Sequence, residues 1–102
     1  MFSINNGKTV SDEGFEVEQR HCGNGEWCIC YTEAAKTLVL DAYYSVESDD
    51  STQKALVLEV PARLQWWKPA EVLHDDERVR ILGNIGRALE FREARFKIIP
   101  TR

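Results

Sequence analysis

Three cysteines and a histidine lie within ten residues of the chain, at His21, Cys22, Cys28 and Cys30. Thiolate and imidazole groups are the ligands that zinc prefers, so this cluster is a candidate metal site. Structural zinc sites, however, usually take two cysteines about two to four residues apart on a tight turn, whereas Cys28 and Cys30 alternate within a strand-like segment. Their sulfurs would lie on one face of that strand, roughly 7 Å apart. We therefore expect no metal and no cofactor, and we interpret the cysteines as reduced thiols packed beneath a helix.

Residue groupings for catalysis are sparse. A serine nucleophile needs a histidine to accept its proton, and neither of the two histidines, His21 and His74, lies near a serine on a sharp turn. Asp41 and Glu59 can be paired as general acid and base across neighbouring strands, but strand carboxylates usually face solvent. We expect no enzymatic activity. A small enzyme or ligand-binding domain with a pocket between sheet and helix remains the alternative.

The first sixty residues have the pattern of short antiparallel strands. Apolar residues recur at spacing two between turn signals such as Asn6-Gly7 and Asn24-Gly25. The predicted strands are Phe2–Asn5, Lys8–Val10, Phe15–Arg20, Glu26–Thr32, Thr37–Val46 and Lys54–Val60.

The last third of the chain predicts one helix over Asp76–Phe91, with Asp75 or Asp76 as its N-cap. Its apolar stripe consists of Ile81, Leu82, Ile85 and Leu89. Ala94–Ile99 has the pattern of a short final strand. Residues 1–102 are therefore expected to form a single α+β domain. Its architecture would be a mostly antiparallel sheet of about five to seven strands with one long C-terminal helix on one face.

Charge is unevenly distributed along the chain, whose formal net charge is −4. Residues 1–60 hold four basic residues against eleven acidic ones, a net of −7, and residues 61–102 hold nine against six, a net of +3. An acidic surface repels nucleic acid and attracts basic proteins. The acidic residues expected to form one patch lie on two adjacent strands and their connecting loop, and they are Asp41, Glu47, Asp49, Asp50 and Glu59.

Two adjacent tryptophans, Trp66 and Trp67, lie between Pro61 and Pro69 in an extended connection from sheet to helix. Neighbouring side chains of an extended segment face opposite ways, so one indole should anchor in the core while the other lies partly exposed. Exposed indoles are frequent hot spots of protein binding, which makes Trp67 a candidate contact residue. The alternative is that both rings only fasten the connection to the helix.

The sequence contains no apolar run of the roughly 18 residues that a membrane span requires. Its first ten residues lack a basic region followed by an apolar stretch. We therefore expect a cytoplasmic protein that does not interact with membranes.

Four segments follow one another in a distinctive order. They are W-C-I-C-Y at Trp27–Tyr31, a T-L-V-L-D-A strand, W-W-K-P at Trp66–Pro69 and E-R-V-R-I-L-G-N-I-G-R-A-L at Glu77–Leu89. Over about Glu26–Phe91 the chain resembles small immunity proteins encoded beside polymorphic or contact-dependent bacterial toxins. The closest match is to their W-x-x-P connection and E-R-x-x-I-x-x-N-I-x-x-A-L helix, in which Asn84 takes the place of the pattern's asparagine.

The resemblance implies a partner and a mode of action. The expected partner is the C-terminal domain of a cognate toxin, often a nuclease, whose active site or substrate groove the immunity protein occludes by tight binding without catalysis. The acidic front of the chain fits such a partner, because a toxin that acts on nucleic acid presents a basic site. A homo-oligomerising interaction module is a further alternative, and the sequence leaves the oligomeric state open.

Overall fold

The computed structural model describes residues 1–22, 26–46, 54–67 and 70–101. Among them, seven strands form one sheet in chain order, antiparallel from the first to the sixth strand and parallel at the last pair. The elements are β1 (Phe2–Asn5), β2 (Lys8–Ser11), β3 (Phe15–His21), β4 (Trp27–Glu33), β5 (Lys36–Val46), β6 (Lys54–Val60), α1 (Asp75–Phe91) and β7 (Phe96–Pro100). The predicted fold class is confirmed, and each predicted boundary lies within one or two residues of the observed one.

Tight turns set the antiparallel order at the start of the sheet. Asn6 and Gly7 join β1 to β2 with positive φ values of 53° and 81°, as a type I′ turn requires. Ala34 and Ala35 join β4 to β5 with φ values of 47° and 67°. Alanine carries no sequence signal for this conformation, so only the first of these turns is predictable from residue types.

The crossover through α1 returns the chain to the sheet beside β6, which makes β7 parallel to its neighbour. The helix covers one face of the sheet, and Ile81 and Ile85 are fully buried against it. The strand residues buried on that face include Ile29, Tyr31, Leu38, Leu40, Leu56 and Leu58. Leu82 is only partly buried at the margin of this core. The alternate strand residues point to the face that α1 does not cover, which we call the open face.

The start of α1 differs from the sequence expectation. His74 is the N-cap and Asp75 the first helical residue, so the prediction that Asp75 or Asp76 caps the helix is wrong. The carboxylate of Glu77 accepts a hydrogen bond from the His74 backbone N–H at 3.3 Å. This hydrogen bond ties the N-cap residue to the first turn, and the three acidic residues of that turn stabilise the positive end of the helix. Within the described residues, no helix is both long and apolar enough to cross a membrane.

Candidate functional site

The open face is built from alternate residues of the strands. The antiparallel registers bring Arg20, Cys28, Asp41 and Glu59 into one row across β3, β4, β5 and β6. The next row along β4 and β5 contains Cys30 opposite Val39. Residues far apart in sequence therefore share one continuous surface.

Trp66 and Trp67 divide between core and surface as their adjacency predicts. Trp66 is 2% exposed, and its ring lies 6.2 Å from that of Tyr31. Trp67 is 70% exposed. The backbone N–H of Trp67 donates to the carbonyl oxygen of Thr37 at 2.7 Å, which holds the exposed indole beside the start of β5.

A groove of about 620 Å³ lies between Trp67 and the open face. Cys28, Cys30 and Val39 line it from the sheet. Cys28 is buried, Cys30 is half-buried, and Val39 is 38% exposed. The groove therefore has an apolar wall on each side.

Charged residues of β2 and β3 line the other margin of this groove, and they neutralise one another. Lys8 pairs with Glu16 at 3.5 Å, and Arg20 pairs with Glu18 at 3.0 Å. Two of the acidic residues that make the front of the chain negative are thus balanced locally. The groove suits an apolar group better than an ion.

Asp41 and Glu59 lie directly opposite each other on β5 and β6. Neither carboxylate forms an ion pair with another described residue. The structure therefore brings together these two members of the predicted acidic patch. Its other members, Glu47, Asp49 and Asp50, lie outside the described residues.

Cys22 and Cys28 form a disulfide across the β3–β4 hairpin, with Cα atoms 5.9 Å apart, and Cys30 is a free thiol. The expectation of three reduced thiols beneath the helix is therefore wrong on both points. Cys28 and Cys30 alternate along β4 with the buried Ile29 and Tyr31, so they lie on the open face, away from α1. Burial raises the pKa of the Cys30 thiol.

His21 lies opposite Trp27 in the β3–β4 register and also lines the groove beside the cysteines. Its imidazole stacks on Trp27 with ring centroids 3.7 Å apart, on the side of the sheet that α1 covers. Within the described residues, no group of three or more His, Cys, Asp or Glu side chains is arranged to hold a metal ion.

Sequence reasoning missed a polar network between β4 and α1. The Tyr31 hydroxyl donates to Glu33 Oε1 at 2.7 Å and accepts from Asn84 Nδ2 at 3.0 Å. Arg80 binds both oxygens of Glu33, and Arg87 donates to Asn84 Oδ1 at 2.6 Å. One signal was available, because a polar Asn84 within an apolar helical stripe requires a buried partner.

The chemistry of this network is structural. Burial, together with the carboxylate of Glu33, raises the pKa of Tyr31 to about 12, so the phenol stays protonated at neutral pH. The Arg80 guanidinium lowers the pKa of Glu33 and keeps it ionised. Every fully buried side-chain polar atom in the described part of the chain has a hydrogen-bond partner. The network joins α1 to the sheet.

A second cavity, of about 370 Å³, lies between the sheet and the C-terminal end of α1. Trp27, Tyr44 and Arg92 are among its lining residues. A pocket between sheet and helix, as the alternative interpretation requires, is thus present at this end of the molecule.

Comparisons of the chain with protein-family models, with curated proteins and with solved structures give no match. The surface chemistry of the fold is therefore what bears on function.

Proposed function

We propose that the protein is an immunity protein that binds and neutralises the C-terminal domain of a cognate bacterial toxin. The open face would cover the active site or substrate groove of that domain. The observation that carries the proposal is the sheet face that α1 leaves free, which contains an acidic pair without an ion-pair partner among the described residues and a groove edged by an exposed indole. The protein would act in the cytoplasm, without a cofactor and without catalysis of its own.

The acidic pair supports a basic partner. Like charges directly opposite each other on neighbouring strands destabilise a sheet by roughly 0.2–1 kcal/mol, so Asp41 and Glu59 oppose folding. A cationic side chain placed between them relieves that repulsion and adds attraction. A toxin domain that binds the phosphates of nucleic acid presents such cations at its active site.

The apolar part of the open face supports a protein partner. Trp67, Val39 and Tyr43 are respectively 70%, 38% and 42% exposed. Val39 and Tyr43 flank Asp41 on the same face of β5. Apolar groups edged by charge are typical of interaction surfaces, and a partly exposed indole is a frequent hot spot.

The resemblance to immunity proteins involves other residues. Its helix pattern, Glu77–Leu89, contains Asn84 and Ile85, which are buried between α1 and the sheet. These residues build the scaffold, and the proposed contact surface lies on the other side of the sheet. The family pattern and the binding surface are therefore separable in a mutational test.

Co-expression with the toxin domain encoded beside the gene for this protein tests the proposal. Cells that produce the toxin should survive with the wild-type protein and lose protection with the triple variant Asp41→Asn, Glu59→Gln, Trp67→Ala. A matched control on the exposed side of α1 is Asp76→Asn, Val79→Ala, Glu90→Gln, which also removes two carboxylates and truncates one apolar side chain. The control should protect as the wild type does.

Two results would contradict the immunity proposal. One is equal cell death with and without the wild-type protein. The other is the absence of a complex in purified mixtures at micromolar concentration and low salt.

A further inference from the structure

The cavity at the C-terminal end of α1 lies on the opposite side of the sheet from the proposed toxin-binding surface. Its volume of about 370 Å³ falls within the range of roughly 300–1,000 Å³ of small-molecule sites. Trp27 and Tyr44 line it with rings 5.9 Å apart and nearly perpendicular, at 86°. Val17 and Leu89, both buried, close its inner side. The cavity therefore has the shape and lining for one flat apolar group.

Hydrogen-bonding groups meet at the same cavity. The Gln19 amide donates to the Tyr44 hydroxyl at 2.9 Å, so these two groups largely satisfy each other. Thr9 is 3% exposed, and its hydroxyl accepts from the Arg92 guanidinium at 3.4 Å. A guanidinium has five N–H donors, so Arg92 keeps donors for a further acceptor.

Arg92 also determines the charge of the cavity. It is the only charged residue among the described residues that line the cavity. It forms no ion pair with a carboxylate in the described part of the chain. Glu90 and Glu93 flank it in sequence but do not line the cavity. The cavity is therefore electrostatically suited to an anion.

The negative end of the helix dipole opposes an anion here, but the effect is small. The backbone N–H groups of Arg92 and Ala94 donate to the carbonyls of Ala88 and Leu89 at 3.2 and 3.0 Å. These bonds satisfy two carbonyl groups of the last helical turn. The helix end carries about half an elementary charge, less than the full charge on Arg92.

We propose that this cavity binds a small aromatic carboxylate, with its ring against Trp27 and Tyr44 and its carboxylate on Arg92. An arginine fork matches the two oxygens of a carboxylate, and perpendicular aromatic walls accept a third ring by edge or face. The proposal concerns a different surface from the toxin-binding one and does not rest on it.

Titration of the ¹⁵N-labelled full chain with phenylacetate, followed by two-dimensional NMR, tests this site. The matched uncharged probe is phenylacetamide. Phenylacetate should give saturable shifts at the Trp27 indole N–H and the Thr9 and Arg92 amides, with a roughly millimolar Kd. Phenylacetamide should bind about tenfold more weakly, because its uncharged amide cannot form the charged two-oxygen contact with the Arg92 guanidinium.

Three variants separate the contributions of charge and ring. Arg92→Gln should weaken phenylacetate binding about tenfold and leave phenylacetamide binding unchanged. Tyr44→Ala should weaken both probes. Arg63→Gln is the matched control, because Arg63 is an exposed arginine between β6 and α1 that does not line the cavity. It should bind both probes as the wild type does.

Equal affinity for the two probes would overturn the proposal. So would saturable shifts confined to Trp67, or no saturable shift at any signal up to about 10 mM, well above the expected Kd. If the spectrum of Arg92→Gln shows misfolding, Arg92→Met decides instead. That variant keeps a long unbranched side chain but removes the positive charge and the fork, and an undiminished preference for phenylacetate over phenylacetamide would count against the site.

Discussion

Glu33, the last residue of β4, forms one stabilising contact with Arg80 of α1 and another with Tyr31 of its own strand. Arg80 binds both of its carboxylate oxygens, and the Tyr31 hydroxyl donates to one of them. Arg80 is the main cause of the lowered pKa of Glu33, and the Tyr31 hydrogen bond adds to it. The side chains of Arg80 and Glu33 are 48% and 23% exposed, so solvent screens part of this attraction.

The lowered pKa of Glu33 predicts a pH-dependent contribution to stability. A carboxyl that is more acidic in the folded than in the unfolded chain stabilises the fold above its unfolded pKa, here about 4.5. That contribution is lost as pH falls through the folded pKa. Glu33→Gln should therefore lower the free energy of unfolding by about 1 kcal/mol at neutral pH and by little at about pH 3. Urea unfolding at the two pH values measures the difference.

The comparison variant is Glu13→Gln, which removes an exposed ion pair with Arg87 at 2.9 Å. It should change stability less than Glu33→Gln at neutral pH. An effect of Glu33→Gln that is the same at both pH values would contradict the assignment.

Single residues differ in how far the sequence determines their role. Adjacency in an extended segment predicts that one of Trp66 and Trp67 lies in the core and the other at the surface, and the structure shows that Trp66 is the buried one. Asn84 could be placed on the buried stripe of a helix, but its partner Tyr31 lies 53 positions away. Helical periodicity reports on local neighbours only, so the network between Tyr31 and Asn84 became visible with the packing of α1 on the sheet.

At the scale of elements, alternation along β4 separates two sets of side chains. Ile29 and Tyr31 share one face, and Cys28 and Cys30 share the other. Both sets are apolar, so the pattern does not decide which of them the helix covers. The helix packs on the larger side chains, where more apolar area is removed from water. The prediction that the cysteines pack beneath the helix is therefore wrong, although the predicted alternation is correct.

The disulfide across the β3–β4 hairpin leads to a second testable prediction. Cys22 and Cys28 are six positions apart, and a disulfide closing such a short loop stabilises by about 2 kcal/mol in the chain-entropy description. Reduction should lower the free energy of unfolding by that amount, measured by urea unfolding with and without a phosphine reductant. Cys22→Ser should remove the sensitivity to reductant, and Cys30→Ser should retain it. The stability of the reduced form is also of interest, because reducing compartments keep cysteines as free thiols.

Thiol counting provides an independent check on this pairing. The oxidised, denatured protein should contain one reactive thiol of the three cysteines, at Cys30. Three reactive thiols after exposure to an oxidant would contradict the disulfide.

At the scale of the whole molecule, charge along the chain and charge on the surface differ. The sequence predicts an acidic front region, but strand register decides which acids remain unneutralised. Glu16 and Glu18 are paired with Lys8 and Arg20 beside the groove, whereas the opposed Asp41 and Glu59 have no such partner among the described residues. Composition predicts the sign of the charge on a partner surface, and the strand register locates the carboxylates that would contact it.

In the proposed complex, the acidic pair Asp41–Glu59 and the indole of Trp67 should affect different rate constants of toxin binding. Unpaired charges act over distance and raise the rate of encounter, whereas an indole acts only after contact. The double variant Asp41→Asn, Glu59→Gln should slow association several-fold at low salt and flatten its salt dependence. Trp67→Ala should raise the dissociation rate about tenfold or more and leave association within roughly twofold.

Binding kinetics at two salt concentrations, with the toxin domain immobilised, measure these effects. Without toxin, the double charge variant should unfold with unchanged free energy or gain about 0.2–1 kcal/mol, because it removes a repulsion between opposed carboxylates. That measurement separates a surface role for the pair from a structural one. If the charge variant loses stability, or if both variants change only the dissociation rate, the acidic pair does not steer the encounter.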